Sequence, residues 1–372
     1  MQSPVVEHNV KKWLYENQNG THVTCDSIID QWYMSTLTFD KRGKSTSSLN
    51  TSLRTFKSIT KRVLANERVQ VSSYDVSKEG YTEWLCNKSS KLAYKNLEDL
   101  LTVLKWNVEH KIKIFRMSSS LFPWMSEYQF WQLPNYPEIQ SKLMEIGKYV
   151  LDNGLRVGFH PGQYSVLPSP DPGVVENAID DLEKHAQILD LMGLPKSHQY
   201  SINIHVGGSY GDKRASMERF VESFNRLTDS VKSRLVVEND DKASQYSVVD
   251  LYEGLYKKIN IPITFDFFHH LFCTGDLSQD EAAKLAASTW PNGVRPLAHF
   301  SSSKKLNEDN SVIERSHADY LYDLIPEIGI IFDIELEAKA KELALFKYIE
   351  QSKGGNFEVP LLEKSEQTRL EI

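Results

Sequence analysis

Histidine, aspartate and glutamate recur in this chain at the points where short apolar runs stop. The stretch GLRVGFHPGQYSVL ends one run on His160 and follows it, across a Pro-Gly turn, with Gln163 and Tyr164. INIHVGG does the same with His205, LVVENDD with Glu238, ITFDFFHH with Asp266 and His269, and LAHFSSS with His299. Either Asp333 or Glu337 closes a later run, and His317 opens a helix-like pattern. Imidazole and carboxylate donors without thiolates suit zinc, manganese or Fe(II). A single buried histidine is more often a hydrogen-bonded core residue than a ligand, but a whole set at run ends is not explained that way. The candidates exceed the roughly four ligands of one ion. They imply a cluster of two or three divalent ions, with Glu238 placed to bridge. Metals about 3.5–4 Å apart can clamp the attacking and leaving oxygens of a phosphodiester and generate hydroxide at neutral pH.

Such donors need elements that aim them at one point. Strand-like runs occupy 31–39, 111–117, 155–160, 200–206, 234–239, 262–267, 296–300 and 328–334, several of them apolar throughout, as expected of parallel strands buried on both faces. Helical periodicity fills the gaps at 94–109, 137–152, 174–193, 214–231, 247–258, 279–289, 316–325 and 337–351. In 174–193, Val175, Ala178, Ile179, Leu182, Ala186 and Leu189 form one stripe and Gly193 marks the stop. Eight strands alternating with eight helices predict an α/β fold, a single (β/α)8 TIM barrel whose site lies at the C-terminal strand ends. A doubly wound sheet is the alternative. Segments 40–62 and 66–92 are insertions after the first strand, the barrel domain spans 1–352, and 353–372 is a loose tail. His185 lies in the apolar stripe and is structural; His8, His22, His110 and His198 are surface or packing residues. Neither GxGxxG nor GxxxxGK[ST] occurs.

Composition narrows the class. With 372 residues, 40% apolar and 25% charged, the chain is of soluble globular type. No apolar run has membrane-spanning length and the N-terminus shows no signal-peptide core, so a cytoplasmic or nuclear protein is expected. Cys25, Cys86 and Cys273 lack metal-ligand spacing and read as reduced thiols. The net charge of −7 argues mildly against a general nucleic-acid binder, yet carboxylates that hold cations present positive charge once loaded.

Taken together, FRMSSSLFP, FHPGQYSVL, INIHVGGSYGDK, LVVENDD, FDFFHH, HFSSS, HADYL and DIELEAKAKELAL resemble the UV damage endonuclease family, relatives of the endonuclease IV-like metal barrels. The resemblance runs in order over about 95–348. It implies an enzyme that nicks damaged double-stranded DNA 5′ of UV photoproducts with a manganese-type cluster, zinc being the other choice. It further implies that His160, His205 and Glu238 bind one metal, that Glu238, Asp266, His299 and Glu337 bind a second, and that His269 and His317 bind a third. It thereby selects Glu337 over Asp333. Gln163 and Tyr164 would probe the lesion, and Arg116, Tyr210, Lys213 and Lys304 would face DNA. No obligate protein partner is evident.

Three positions depart from the family. Glu127 stands where a histidine near the scissile phosphate is usual, and with Glu238 and Glu337 it completes the expected catalytic carboxylates. Leu297 replaces a lysine two positions before His299. The early tyrosine is not clearly placed, with Tyr33 the candidate. Two rival functions follow: a metal-dependent sugar isomerase or epimerase on the same barrel, and a damage-binding protein that has lost cleavage. Basic residues at Arg54, Lys57, Lys61, Arg62, Lys213, Arg214, Lys304 and Lys305 favour the DNA reading, although each cluster alone is more often solvated surface.

Overall fold

Short runs of alternating character build the barrel. The strands are β1 (His22–Cys25), β2 (Ile114–Met117), β3 (Arg156–Phe159), β4 (Ile202–His205), β5 (Leu235–Glu238), β6 (Ile263–Asp266), β7 (Leu297–Phe300) and β8 (Asp333–Leu336) in a computed structural model that describes residues 22–25, 78–162 and 164–354. They are hydrogen-bonded in the order β1-β8-β7-β6-β5-β4-β3-β2, all parallel. β1 also lies against β2, so the sheet curls round on itself as the expected (β/α)8 barrel.

Alternation separates two environments. Phe115, Val157, Ile204, Val237, Phe265, Ala298 and Ile334 point outward into the main core beneath the helices. The intervening residues point inward, where Val236 and Leu297 pack with Trp290. Most of the interior is polar. Arg156 reaches Asp333 at 2.8 Å with both side chains buried, and Arg116 reaches Glu337 at 2.8 Å and Glu335 at 3.5 Å. Gly158 lets β3 approach its neighbour, since a Cβ there would sit 2.6 Å from the Ser201 carbonyl oxygen.

The outer layer comprises α1 (Lys78–Glu109), α2 (Tyr136–Asp152), α3 (Pro172–Leu191), α4 (Lys213–Asn225), α5 (Val248–Leu251), α6 (Gln279–Ala287) and α7 (Glu342–Gly354). α3 follows the predicted stripe, starts on Asp171 as N-cap and buries His185, whose Nδ1 lies 2.7 Å from the Asp181 carbonyl oxygen. His110 packs against Trp106 with ring centroids 3.8 Å apart.

Several boundaries differ from expectation. The strand beside β8 is His22–Cys25, held by in-register pairing with Asp333–Leu336, whereas 31–39 lies outside the described residues. Insertion 40–62 and the tail from residue 355 also lie outside them. α1 begins at Lys78, inside the segment expected as an insertion. Ser89, in that expected insertion, and Asn96 donate to the carbonyls of Pro123 and Leu121 and so tie the helix to the chain after β2. β8 lies later than 328–334, because its inward residues are acids that break the apolar signal. No helix forms over 316–325. The Glu308 carboxylate accepts from the N–H groups of Asp319 and Tyr320, and the Ser302 hydroxyl accepts from that of Tyr322, which takes the donors a helix would use. The helix expected to start near 337 starts at Glu342.

Candidate metal centre

The strand ends bring the candidate ligands together at the C-terminal mouth. His160 follows β3, His205 ends β4, Glu238 ends β5, Asp266 ends β6, His299 lies on β7 and Glu337 follows β8. His269 sits on the single helical turn Phe267–His270. His317 does not open a helix; it forms an isolated antiparallel bridge with Ser303 on the loop after β7. Its Nδ1 is 3.4 Å from Glu337.

Glu238 is the hub. It is fully buried, and its carboxylate lies 3.1 Å from His160, 3.1 Å from His299, 3.4 Å from His269 and 3.9 Å from His205. Asn203 donates to it at 2.6 Å and fixes its orientation. Asp266 is held from the other side: its N–H donates to Asn239 Oδ1, and its Oδ1 accepts from the His269 N–H. The Asn239 carbonyl lies 2.9 Å from His269 Nδ1.

Three sets each offer donor atoms mutually within 4.8 Å: His160, His205 and Glu238; Glu238, Asp266 and His269; Asp266, His299 and Glu337. Glu238 Oε1, Asp266 Oδ2 and His299 Nδ1 are buried with no hydrogen-bond partner. Buried polar atoms left this way are costly unless something else satisfies them. A divalent cation fits that description, and the donor set is of the right chemistry.

Electrostatics agree. Burial pushes the Glu238 carboxyl up, but His299 and His205 outweigh it and hold the group well below its usual range. Glu337 is half-buried, which pushes its carboxyl up, but Arg116 and His299 outweigh this and hold it well below its usual range. Burial lowers His205, yet Glu238 and Asp240 raise it to about 9. Asp266 moves up, chiefly through burial, with Glu238 and Glu337 adding repulsion. The cluster therefore holds crowded negative charge that positive charge must offset.

The other expected residues fall around this centre. Tyr164 is 77% exposed after β3, while Gln163 lies outside the described residues. Tyr210 is 51% exposed, in a left-handed conformation, with the Arg219 guanidinium 5.6 Å from its ring centroid. Lys213 pairs with Asp250 at 3.0 Å and Lys304 with Asp319 at 3.1 Å. Arg116, expected to face DNA, instead turns into the barrel against Glu337. Glu127 is exposed on the turn Met125–Glu127, which packs against α3, and joins none of the three donor sets. Asn203, Asn239, Asp240 and Glu335 were not anticipated. Only Glu335 carried a signal, the period-two acids of Asp333-Ile334-Glu335-Leu336-Glu337.

A parallel barrel with imidazoles and carboxylates clustered at its C-terminal mouth is a (β/α)8 protein whose mouth could hold metal ions. The chain matches the family described as UV-endonuclease UvdE over residues 46–359. It is 34% identical over 278 residues to a UV DNA damage endonuclease of Clostridium perfringens, covering 73% of this chain and 65% of that protein. Against the UV DNA damage endonuclease of Bacillus cereus strain B4264 it is 33% identical over 274 residues, 69% of this chain and 80% of the other. The solved structure of SacUVDE is similar with TM-score 0.61 and 32% identity, covering 73% of this chain and 90% of that one. The chain belongs to the UvdE UV-endonuclease family.

Proposed function

We propose that this protein is a divalent-metal-dependent DNA repair endonuclease that nicks the backbone 5′ of UV photoproducts in duplex DNA. The observation that carries the reading is the run of three overlapping donor sets joined through two buried carboxylates, Glu238 and Asp266. Two or three divalent ions, most readily manganese, would supply there the charge that activates water and offsets the charge developing on the phosphodiester. His160, His205 and Glu238 form one ligand group; Asp266, His299 and Glu337 extend the cluster from Glu238; His269 and His317 complete it. Arg116 orients Glu337, and Asn203 orients Glu238.

Tyr164, standing clear of the barrel on the turn after His160, supports a role against the lesion, together with Gln163. Tyr210 on the loop after β4, Lys213 at the start of α4 and Lys304 at the start of the short helix Lys304–Asn307 after β7 would meet a duplex crossing the mouth. Glu127, exposed after β2, is the remaining acid of this reading and would act near a phosphate. The intact ligand set favours cleavage over damage binding alone, and the family match favours DNA over a sugar substrate. Such an enzyme works in the cytoplasm or nucleus. Among the described residues no helix is long and apolar enough to cross a membrane.

The test is direct. The full chain, stripped of metal and resupplied with Mn²⁺, is incubated with a duplex carrying one defined pyrimidine dimer. A single nick 5′ of the dimer, lost on chelation, is the expected product. An intact strand under these conditions rejects the reading.

A further inference from the structure

His299 has two nitrogens in two different surroundings. Nδ1 faces the carboxylates of the cluster, 3.1 Å from Glu238, 3.5 Å from Glu337 and 3.9 Å from Asp266. Nε2 faces the opposite way, 3.2 Å from Oε2 of Glu335. Glu335 lies on β8 in register with His299 on β7, and its carboxylate is buried. Arg116 approaches the same oxygen at 3.5 Å while bonding Glu337 at 2.8 Å. Nε2 and Oε2 are within reach of each other but not aligned as a hydrogen bond, and neither buried atom has a hydrogen bond elsewhere. Glu335 belongs to none of the three donor sets, so it stands one step behind the ligands.

An imidazole that ligates through one nitrogen donates its N–H from the other, and the partner of that N–H decides which nitrogen meets the ion. We propose that Glu335 is a positioning residue that selects Nδ1 of His299 as the metal-facing nitrogen by accepting the Nε2–H. Arg116 ties this carboxylate and the ligand Glu337 to one guanidinium, so a histidine ligand and a carboxylate ligand from adjacent strands share an anchor. The inference rests on reading the barrel mouth as a metal centre. A purely structural Glu335 makes a different prediction. Replacing it with an apolar side chain of similar volume would alter the stability of the metal-free protein and leave metal affinity unchanged.

The experiment titrates Mn²⁺ calorimetrically into the metal-free full chain and its Glu335→Gln and Glu335→Met variants, beside thermal unfolding of each metal-free protein. Glu335→Met is expected to weaken binding about ten- to a hundred-fold without lowering the metal-free unfolding temperature. Glu335→Gln, whose amide oxygen still accepts, should recover most of the affinity. A second readout uses ¹⁵N-histidine-labelled protein loaded with diamagnetic Zn²⁺. The wild-type His299 signal should show a ligated Nδ1 and a protonated Nε2. Wild-type affinity in Glu335→Met, or a ligated Nε2 in the wild type, overturns the proposal. If Glu335→Met fails to fold, the wild-type ¹⁵N pattern still decides. A wild-type protein that binds neither ion removes the metal-centre reading and this inference with it, an outcome distinct from selective loss in the variants.

Discussion

Glu238 touches more of the cluster than any other side chain described above, which makes it the sharpest single-residue test. An amide at this position keeps the volume and can still accept from Asn203, but it is a poor bridge between cations. Glu238→Gln is expected to lose about a thousand-fold or more in nicking rate, several kcal/mol of transition-state stabilisation. Binding to a UV-lesion duplex, measured by gel shift, should fall far less. Nicking near the wild-type rate would remove Glu238 from the cluster. Tyr164 belongs to the opposite case, a side chain with little to pack against. Base–aromatic stacking is worth roughly 1–3 kcal/mol, so Tyr164→Ala should reduce the preference for damaged over undamaged duplex about ten-fold while Mn²⁺ affinity stays put. If lesion preference survives the change, Tyr164 is a surface residue only. Residues of the first kind were legible because ligand chemistry at strand ends is rare and repeated. Asn203, Asn239 and Asp240 were not, since orienting a carboxylate or an imidazole leaves no distinctive spacing in the sequence.

Elements were legible where burial is apolar and obscure where it is polar. α3 announces itself by periodicity, and the five strands from β3 to β7 announce themselves as short apolar runs. β8 does not, because Asp333 and Glu335 face inward against Arg156, Arg116 and His299, so the apolar run just before it attracts the assignment. The loop after β7 is the same lesson in another form: Glu308 and Ser302 capture backbone donors by contacts far along the chain, which no local pattern encodes. At the start of α7, Glu342 is fully buried and both carboxylate oxygens lack a partner. Burial pushes its carboxyl up to about 8. The folded state therefore holds a proton there that the unfolded chain releases above its ordinary pKa of about 4.5. This raised acid costs nothing at low pH, and its cost grows as pH rises from the unfolded to the folded value and then levels off. Glu342→Gln should accordingly stabilise the protein by on the order of 3 kcal/mol at neutral pH, and not at all in acid. Thermal unfolding from pH 4 to 9 checks this; a variant no more stable than the parent at pH 8 would show that Glu342 is satisfied in solution.

The molecule as a whole is a barrel with an unusually polar interior, in which Arg156 and Arg116 face Asp333, Glu335 and Glu337, and the mouth adds Glu238 and Asp266. Without added cations, Arg116 and protonated imidazoles offset this charge: burial lowers His205, but Glu238 and Asp240 raise it to about 9. Loading the centre therefore exchanges protons for metal, and the direction of the pH effect follows. At pH 6 the imidazoles hold their protons and compete with the ion; towards pH 8–9 that competition fades, so apparent affinity rises. A ligand that binds only the folded state stabilises it by about 2.7 kcal/mol at a hundred times its dissociation constant. Mn²⁺ should then raise the unfolding temperature, with an increment that is small at pH 6, larger at pH 8, and largely absent from Glu238→Gln at either pH. The measurement needs no DNA and no turnover, so it separates the metal centre from the activity built on it. An unfolding temperature indifferent to Mn²⁺ at every pH, or a larger increment in acid than at pH 8, would mean that the buried charges of the mouth are balanced within the chain rather than by bound ions.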